Sequence, residues 1–433
     1  MNGNKKIIIG FVFLIINTLY GFSLPRGPLP DAVFDRNIKT VQLYKEGWEF
    51  SYPILELNDT KTLQFSFDYL GTKSKNLNYI VVHCDAQWEP SRIAYSEYLD
   101  GFYQNPLLDF QTSESTHIPY LHYSFAIPNE SVKLKLSGNY ALVVFENSNE
   151  DNPLIIKRFV VVDQKVTIVP EVKRPTLPVY QDNYQQVGFS ILHPDYSIDN
   201  PFQTVKIAVI KNNQWKFSVQ DMVPLYVRNA ELVYDYQDKG LFPGGNEYRS
   251  FDIKSLKYKS ANIQSIDYVI DSWHVELKPD KPRNQIAYFY DEDFNGKYLV
   301  QNKQGTNAAT DAEYVHVIFT FPMSEPLISG NIYVFGGFCD YNCYDDYRMV
   351  YNVEKKAYVL DILLKQGYYN YQYVFVPENS SDVDDRYFEG SFYETENDYL
   401  IYVYHRPFGA RYDKLIGVKL VNSLKRSGLQ MIK

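Results

Sequence analysis

Residues 63–69 read Leu63-Gln64-Phe65-Ser66-Phe67-Asp68-Tyr69, so that apolar and polar side chains alternate without a break. Successive side chains of a β-strand point to opposite faces, and this alternation is typical of a strand with one buried face. Similar strand candidates recur at residues 79–84, 134–145, 155–162, 205–210, 315–321, 358–364 and 369–376. Patterns for helices of about twelve residues or more are scarce. The chain is therefore predicted to be all-β and built of antiparallel sandwiches.

Two changes in composition divide the 433-residue chain. A proline-rich segment at residues 170–178 follows the strand candidate that ends at Val162, and a polar stretch without a strand pattern covers residues 302–312. We therefore expect three consecutive immunoglobulin-like β-sandwiches of ordinary domain size, at residues 24–165, 166–308 and 309–433.

One tyrosine matches the immunoglobulin-like pattern. Ser137-Gly138-Asn139-Tyr140 precedes an apolar run in the position of the penultimate strand of such a sandwich. A tyrosine at that corner bonds back to the backbone while its ring packs in the core. Tyr140 is therefore predicted to be structural.

The N-terminus predicts export. Asn4-Lys5-Lys6 supplies a basic start, residues 7–16 are almost entirely apolar, and the small residues Gly21 and Ser23 follow. About ten apolar residues are too few for a membrane-spanning helix, which needs roughly 20. Residues 1–23 are predicted to be a signal peptide, which implies an oxidising compartment.

The cysteines leave one question open. Cys339 and Cys343 lie four apart, where a disulfide across a turn competes with two free thiols. One pair of cysteines at this spacing, without further ligands nearby, is weak evidence for a zinc site. Cys84 lies in an apolar run and is predicted to be a small buried hydrophobic residue.

Composition restricts the partners. A net charge of −9 and a pI near 5.4 argue against nucleic acid or an anionic membrane surface. The chain contains 40 tyrosines, a residue type that is enriched in β-strands. We further hypothesise that many of these tyrosines are amphipathic anchors on a docking surface.

Signatures of catalysis and metal binding are missing from the sequence. The seven histidines include no HxxxH or HExxH spacing, and there is no GxSxG elbow. Residues 291–296 open like a calcium loop, but position twelve is Asn302 rather than a bidentate glutamate. A hairpin turn at Asn295-Gly296, between strands at Tyr288 and Tyr298, is preferred. We predict no enzyme, no metal and no cofactor.

Acidic residues crowd the stretch from residue 382 to 398 and are interleaved with aromatics. This pattern is typical of a solvated loop leading into a strand, while a weak calcium site or an aromatic interaction surface remains an alternative. The acidic residues are Asp382, Asp384, Asp385, Glu389, Glu394, Glu396 and Asp398.

Several segments, in this order, resemble the plug protein family of the bacterial type IX secretion system. They are residues 33–35 (Val-Phe-Asp), 38–41 (Ile-Lys-Thr-Val), 121–129 (Leu-His-Tyr-Ser-Phe-Ala-Ile-Pro-Asn), 137–140 (Ser-Gly-Asn-Tyr), 242–252 (Phe-Pro-Gly-Gly-Asn-Glu-Tyr-Arg-Ser-Phe-Asp), 389–397 (Glu-Gly-Ser-Phe-Tyr-Glu-Thr-Glu-Asn) and 411–415 (Arg-Tyr-Asp-Lys-Leu).

The most distinctive segment also has a physical interpretation. Gly244, Gly245 and Asn246 tolerate a positive φ and predict a turn. Glu247 and Arg249, two apart on a strand, would project on one face, where they form either an ion pair or a surface pair of little energetic value.

The resemblance implies a periplasmic subunit that associates with the outer-membrane translocon barrel and its accessory proteins. Such a subunit closes the periplasmic opening of the barrel when no cargo passes. It needs neither a cofactor, nor nucleic acid, nor a direct membrane span.

The third sandwich supplies an alternative function. Residues 330–338 and 367–373 resemble a starch-binding-type module, in which exposed aromatic rings stack on sugars. A tryptophan common after the position of Phe338 is missing, and Tyr341, Tyr344 and Tyr347 stand nearby instead. An exported glycan-binding protein is therefore the competing interpretation.

Overall fold

The computed structural model describes residues 27–424, and the signal peptide predicted at residues 1–23 lies outside them. The regular secondary structure of the described residues is almost entirely β-strand, arranged in several antiparallel sheets, so the predicted all-β, multi-domain sandwich fold is confirmed. Three α-helices have four residues each: α1 (Tyr95–Tyr98), α2 (Pro201–Thr204) and α3 (Ala308–Asp311). In residues 27–424 no helix has the length and apolarity to cross a membrane.

The N-terminal sandwich contains twelve strands. They are β1 (Ala32–Val33), β2 (Ile38–Lys45), β3 (Ile54–Glu56), β4 (Leu63–Leu70), β5 (Leu77–Cys84), β6 (Leu99–Gly101), β7 (Gln104–Leu107), β8 (Phe110–Thr112), β9 (Tyr120–Ile127), β10 (Val132–Leu134), β11 (Gly138–Glu146) and β12 (Pro153–Val162). Its outer sheet has the order β2-β4-β9-β8 and its inner sheet the order β1-β12-β11-β5-β7.

The middle part of the chain continues with six strands. They are β13 (Thr167–Lys173), β14 (Tyr184–Leu192), β15 (Val205–Lys211), β16 (Tyr226–Arg228), β17 (Glu231–Tyr234) and β18 (Leu241–Pro243). One sheet has the order β13-β14-β17-β16, with β18 beside β14.

The remaining strands form a third sandwich and then return to the middle one. They are β19 (Arg249–Asp252), β20 (Ile263–Val269), β21 (Ser272–Leu277), β22 (Tyr298–Val300), β23 (Tyr314–Pro322), β24 (Gly330–Phe335), β25 (Val350–Asn352), β26 (Ala357–Lys365), β27 (Gly367–Pro377), β28 (Asp398–His405) and β29 (Lys414–Asn422). In the third sandwich, a β20-β21-β23-β26-β25 sheet faces β27 with its partners β19, β22 and β24.

Strand pairing does not follow the boundary expected near residue 308. The strands β19 to β22 precede it but belong to the third sandwich, and β28 and β29 follow it but pair with β15. Residues 302–312, which have the composition of a linker, connect β22 to β23 inside the third sandwich and include α3. We propose that the middle sandwich is discontinuous, with the third inserted between β18 and β28.

The N-terminal and middle sandwiches form a stack of four layers. The inner sheet of the N-terminal sandwich packs on its own outer sheet through one face and on the β15-β28-β29 sheet through the other. The β15-β28-β29 sheet in turn packs on the β13-β14-β17-β16 sheet. Strands buried on both faces contain continuous apolar runs instead of alternating ones, as β5 and β28 do.

Candidate functional site

The glycine pair predicted as a turn forms the first connection between the middle and third sandwiches. Residues 244–248 lead from β18 into β19, and residues 389–397 lead back from the third sandwich into β28. A Cβ at Gly244 would lie 1.9 Å from the Phe392 carbonyl oxygen, so only glycine allows the two connections to touch. Gly245 has φ +71°, a conformation that favours glycine.

Hydrogen bonds tie the two connections together. The Phe392 amide donates to Gly245 O at 2.9 Å and Asn246 Nδ2 donates to Glu389 O at 2.8 Å. Asn397 Nδ2 donates to Gly244 O at 2.8 Å. Two of the segments that carry the family resemblance are thus packed on one another between the same two sandwiches.

Glu247 and Arg249 do not pair with one another, so neither the ion pair nor the surface pair considered from the sequence is formed. Glu247 precedes β19, so the two side chains do not share a strand face. Glu247 Oε1 accepts from the Tyr288 hydroxyl at 2.5 Å and from the Glu396 amide at 3.0 Å. Arg249 pairs instead with Glu389 and Asp280.

Glu389 is the centre of a buried charge network, here called the Glu389 network, with Arg249, Arg283 and Asp280. Its fully buried carboxylate accepts from Arg249 Nε at 3.0 Å, from Arg283 Nε at 2.7 Å and from the Tyr373 amide at 2.9 Å. Burial alone would raise the pKa of Glu389, but the two guanidinium groups outweigh it and lower that pKa. The solvated loop predicted for residues 382–398 is therefore wrong at Glu389.

A second buried network, here called the Asp68 network, joins the N-terminal and third sandwiches. Asp68 on β4 accepts from Lys365 Nζ at 2.7 Å and from the Tyr314 hydroxyl at 2.7 Å, both groups of the third sandwich. His122 on β9 contacts the other carboxylate oxygen at 2.7 Å. Asp68 and Lys365 are each 1% exposed, so this ion pair is well shielded from solvent.

A third network, the Asp413 network, joins the N-terminal and middle sandwiches. The buried Asp413 carboxylate accepts from the Ala86 amide at 2.9 Å, from Arg406 Nε at 2.7 Å and from Lys206 Nζ at 3.2 Å. Asp413 lies in the 411–415 segment that carries the resemblance. Each pair of sandwiches is therefore connected by buried polar contacts.

Tyr140 lies next to the Asp413 network. Its hydroxyl donates to Leu136 O at 2.8 Å, and its ring is fully buried beside His83. Burial lowers the pKa of His83 to about 4, against weaker opposing effects of the Ser137 carbonyl and Asp413. Strand β11 begins at Gly138, because the chain at Leu136 turns through this corner instead of continuing the predicted 134–145 strand.

Many tyrosines belong to the core. Ten of the twelve largest fully buried side chains among the described residues are tyrosines, so these ten are not the hypothesised water-facing anchors. Several donate across sandwich boundaries: Tyr52 to Asp398 at 2.9 Å, Tyr404 to Asn139 at 2.8 Å and Tyr298 to Val41 O at 3.1 Å. Their rings fill the core and their hydroxyls satisfy buried acceptors.

Cys339 and Cys343 are free thiols in the structure, and so is Cys84. The buried Cys339 Sγ donates to Gly336 O at 3.1 Å, within its own 3-10 turn. Burial raises the pKa of Cys339 to about 12 and that of Cys343 to about 11, so both resist ionisation. The disulfide considered from the sequence is not formed.

The hairpin predicted at Asn295-Gly296 is wrong. Asn295 and Gly296 do have positive φ values of 54° and 82°, as a turn requires. However, β22 pairs with β27 and Tyr288 lies outside any strand. The Asp293 carboxylate instead accepts hydrogen bonds from the Tyr248 amide and, at 2.5 Å, from the Asn295 amide. Burial raises the pKa of Asp293 to about 8.

A cleft of about 560 Å³ opens where the three sandwiches meet. Trp88, Trp215, Lys297 and Tyr341 are among its lining residues. Burial lowers the pKa of Lys297 to about 8, and its ammonium lies 3.6 Å from the centre of the Tyr52 ring. Residues of this cleft contribute to contacts between sandwiches, so we assign it no ligand.

The aromatic residues considered for sugar binding take part in contacts within the chain. The Tyr341 hydroxyl donates to Asn295 O at 3.0 Å, and the Tyr344 hydroxyl accepts from the Val33 amide at 3.2 Å. The Tyr347 hydroxyl donates to Phe338 O at 3.3 Å. These contacts do not favour the glycan-binding interpretation.

An exposed apolar tip, here called the Ile270 finger (Tyr268, Val269 and Ile270), projects from the β20-β21 hairpin. Ile270 is 92% exposed, and the two turn residues Ile270 and Asp271 have φ values of 50° and 59°. A two-residue turn of this kind favours Asn-Gly, and a β-branched residue is strained there. Such strain is concentrated at functional positions.

Comparison with known proteins decides the family. A sequence profile described as "Type 9 secretion system plug protein 1st domain" matches residues 38–163. A crystal structure of a hypothetical protein from Parabacteroides merdae is 35% identical, with a TM-score of 0.87 over 91% of this chain and 99% of that one. The chain belongs to the type IX secretion system plug protein family. A search of curated proteins gives no match for this plug-family chain.

Family membership accounts for the general character of the molecule. A plug-family protein is a component of secretion machinery, and this implies a location in the cell envelope. The profile covers the N-terminal sandwich, while the similarity to the Parabacteroides merdae protein extends over nearly the whole chain.

Proposed function

We propose that this chain is the periplasmic plug subunit of a type IX translocon. It binds the giant outer-membrane barrel, together with its accessory proteins, and closes the periplasmic opening of the barrel when no cargo passes. The role requires surface complementarity and no catalysis. The observation that supports it most is the family match, combined with the contacts that join the three sandwiches pairwise: the Asp68 network, the Asp413 network and the hydrogen-bonded connections between the middle and third sandwiches.

A rigid body suits this role. A wide pore is blocked only by a folded object that keeps its shape, and domains joined by short linkers alone move relative to one another. The shared four-layer stack, the Asp68 and Asp413 networks and the hydrogen-bonded connections to the third sandwich oppose such movement here. The protein therefore offers one continuous surface to the barrel.

We infer that the Ile270 finger is part of that surface. An isoleucine that is both strained and exposed contributes little to folding, whereas an apolar tip gains free energy when a partner removes it from water. A small buried apolar anchor often dominates the affinity of an interface. The rest of the contact area is expected around the tip.

Affinity capture tests both statements. The tagged wild-type protein is expected to bring down the outer-membrane barrel subunit from detergent-solubilised membranes. Ile270→Asn is expected to reduce the captured barrel at least tenfold. Ile328→Asn is the matched control, because Ile328 is another isoleucine that is 93% exposed but lies outside the finger.

One outcome would contradict the plug function, and another would contradict only the role of the Ile270 finger. If the wild type captures no barrel subunit, the plug function is wrong for this chain. If the wild type and Ile270→Asn capture equal amounts, the plug function stands and the finger is not the contact.

A further inference from the structure

A cluster of three possible metal ligands lies on the outer face of the third sandwich. His274 on β21 is directly paired with His316 on the parallel neighbour β23, and Asp361 lies on the adjoining β26. The two imidazole rings are stacked with centres 4.7 Å apart and planes at 10°. One ligand atom from each of the three residues lies within 4.8 Å of the others.

Hydrogen bonds determine which ring nitrogen of His274 is free. The Ser272 hydroxyl donates its single proton to Val269 O at 3.1 Å, so it must accept from His274 Nε2, 3.0 Å away. His274 therefore donates from Nε2, and Nδ1 is the ring nitrogen left to bind a metal; an outer hydrogen bond of this kind orients the histidines of metal sites.

His316 and Asp361 already contact one another, because His316 Nδ1 lies 2.8 Å from Asp361 Oδ1. A metal ion bound to both atoms would replace the hydrogen bond between them. His316 Nδ1 and Asp361 Oδ1 are thus one nitrogen and one oxygen donor placed for the same ion.

We propose that His274, His316 and Asp361 bind a divalent transition metal of the zinc class. Two imidazole nitrogens and one carboxylate oxygen suit Zn²⁺ and Co²⁺, with water at the remaining position. Calcium is disfavoured, because it takes six to eight oxygen ligands. None of the three residues belongs to the Glu389, Asp68 or Asp413 networks.

Binding requires a small rearrangement. Ligand atoms around tetrahedral zinc are roughly 3.3 Å apart, as bond lengths of about 2.1 Å dictate. The observed spread of up to 4.8 Å must therefore contract. The side chains of His316 and Asp361 are partly exposed, at 34% and 47%, so rotation about their side-chain bonds is unobstructed on the solvent side.

A bound metal would also act on the neighbouring hairpin. It would cross-link β21, β23 and β26, and β21 begins at Ser272, next to the turn that contains Ile270. Metal binding is therefore expected to reduce motion of the Ile270 finger. The metal site itself does not depend on the plug function.

Metal titration of the full mature chain tests the proposal. Co²⁺ is expected to bind with one equivalent and to give the visible absorption of a nitrogen- and oxygen-ligated site, and Zn²⁺ is expected to displace it. His274→Ala, His316→Ala and Asp361→Asn are each expected to weaken binding at least tenfold. Ser272→Ala, which removes the hydrogen bond to His274 together with the one to Val269 O but leaves the three ligands in place, is expected to weaken it about tenfold.

His193→Ala is the control, because His193 follows β14 in the middle sandwich and is far from the cluster in the sheet order. Far-UV circular dichroism without metal checks that each variant folds. The proposal is overturned if the wild type binds no Co²⁺ or Zn²⁺ at micromolar concentrations. It is equally overturned if a folded His274→Ala/His316→Ala variant binds as the wild type does.

Discussion

Glu389 is the residue on which both connections to the third sandwich depend. It is fully buried and holds Arg249 and Arg283, and Arg283 also donates to Glu247 O at 2.7 Å. Removing one partner of a buried ion pair leaves the other charge without compensation.

We predict that Glu389→Ala lowers the free energy of unfolding by about 3–5 kcal/mol in urea titrations. The control is Asp182→Ala, which removes a surface pair with Arg174 and should change stability by less than about 1 kcal/mol. Equal effects of the two substitutions would show that the Glu389 network is energetically unimportant.

His83 makes stability dependent on pH. Its pKa is lowered from 6.5 to about 4 by burial, so between these values the unfolded chain takes up a proton that the folded chain does not. Above pH 6.5 His83 is neutral in both states and does not lower the free energy of unfolding. As the pH falls from 6.5 towards 4, the free energy of unfolding decreases by roughly 3 kcal/mol because of this group.

His83→Gln is therefore expected to flatten the pH dependence of the unfolding free energy between pH 6.5 and 4. The comparison is made with the wild type by urea titration at each pH. If the variant kept the wild-type slope across this window, the histidine would not be the group responsible.

The turn of the β20-β21 hairpin holds an exposed isoleucine in a backbone conformation that is unfavourable for it. Ile270 occupies a positive-φ turn position that costs a residue with a Cβ about 1–2 kcal/mol. Asparagine tolerates that conformation better.

We predict that Ile270→Asn raises the free energy of unfolding by about 1 kcal/mol. The same substitution is expected to weaken capture of the barrel, as proposed above. A variant that is less stable than the wild type in urea would contradict the interpretation of Ile270 as a strained residue kept for binding.

Local elements could be predicted from the sequence, but contacts between them could not. The alternation at residues 63–69 predicted β4, and the Ser-Gly-Asn-Tyr segment predicted the corner at Tyr140, because both signals lie within a few residues. Asp68 and Lys365 are 297 residues apart, and neither stands out in a local pattern.

The histidines illustrate the same limit. His274 and His316 have no zinc-like spacing, since their proximity arises only from the pairing of β21 with β23. Glu389 was misjudged for a related reason: its acidic neighbours predict a solvated loop, whereas the two arginines that bury it are 106 and 140 residues away.

At the scale of the whole molecule, the Asp68 and Asp413 networks and the hydrogen-bonded connections to the third sandwich should make the sandwiches unfold together. Asp68→Ala would leave the Lys365 ammonium buried without its anion and would weaken the connection between the N-terminal and third sandwiches.

Differential scanning calorimetry is expected to show one main transition for the wild type. For Asp68→Ala we expect a second transition at lower temperature, from the loosened third sandwich. Two well-separated transitions in the wild type would contradict a single rigid body.

The central claim is that this rigid body closes a secretion pore, and antibiotic entry tests it most directly. Cells lacking the protein, but retaining the barrel subunit, are exposed to a large antibiotic that an intact outer membrane excludes. The proposed function predicts increased entry, restored to the normal level by the wild-type chain and not by Ile270→Asn. If the deletion left entry of the antibiotic unchanged, the chain would not be the plug.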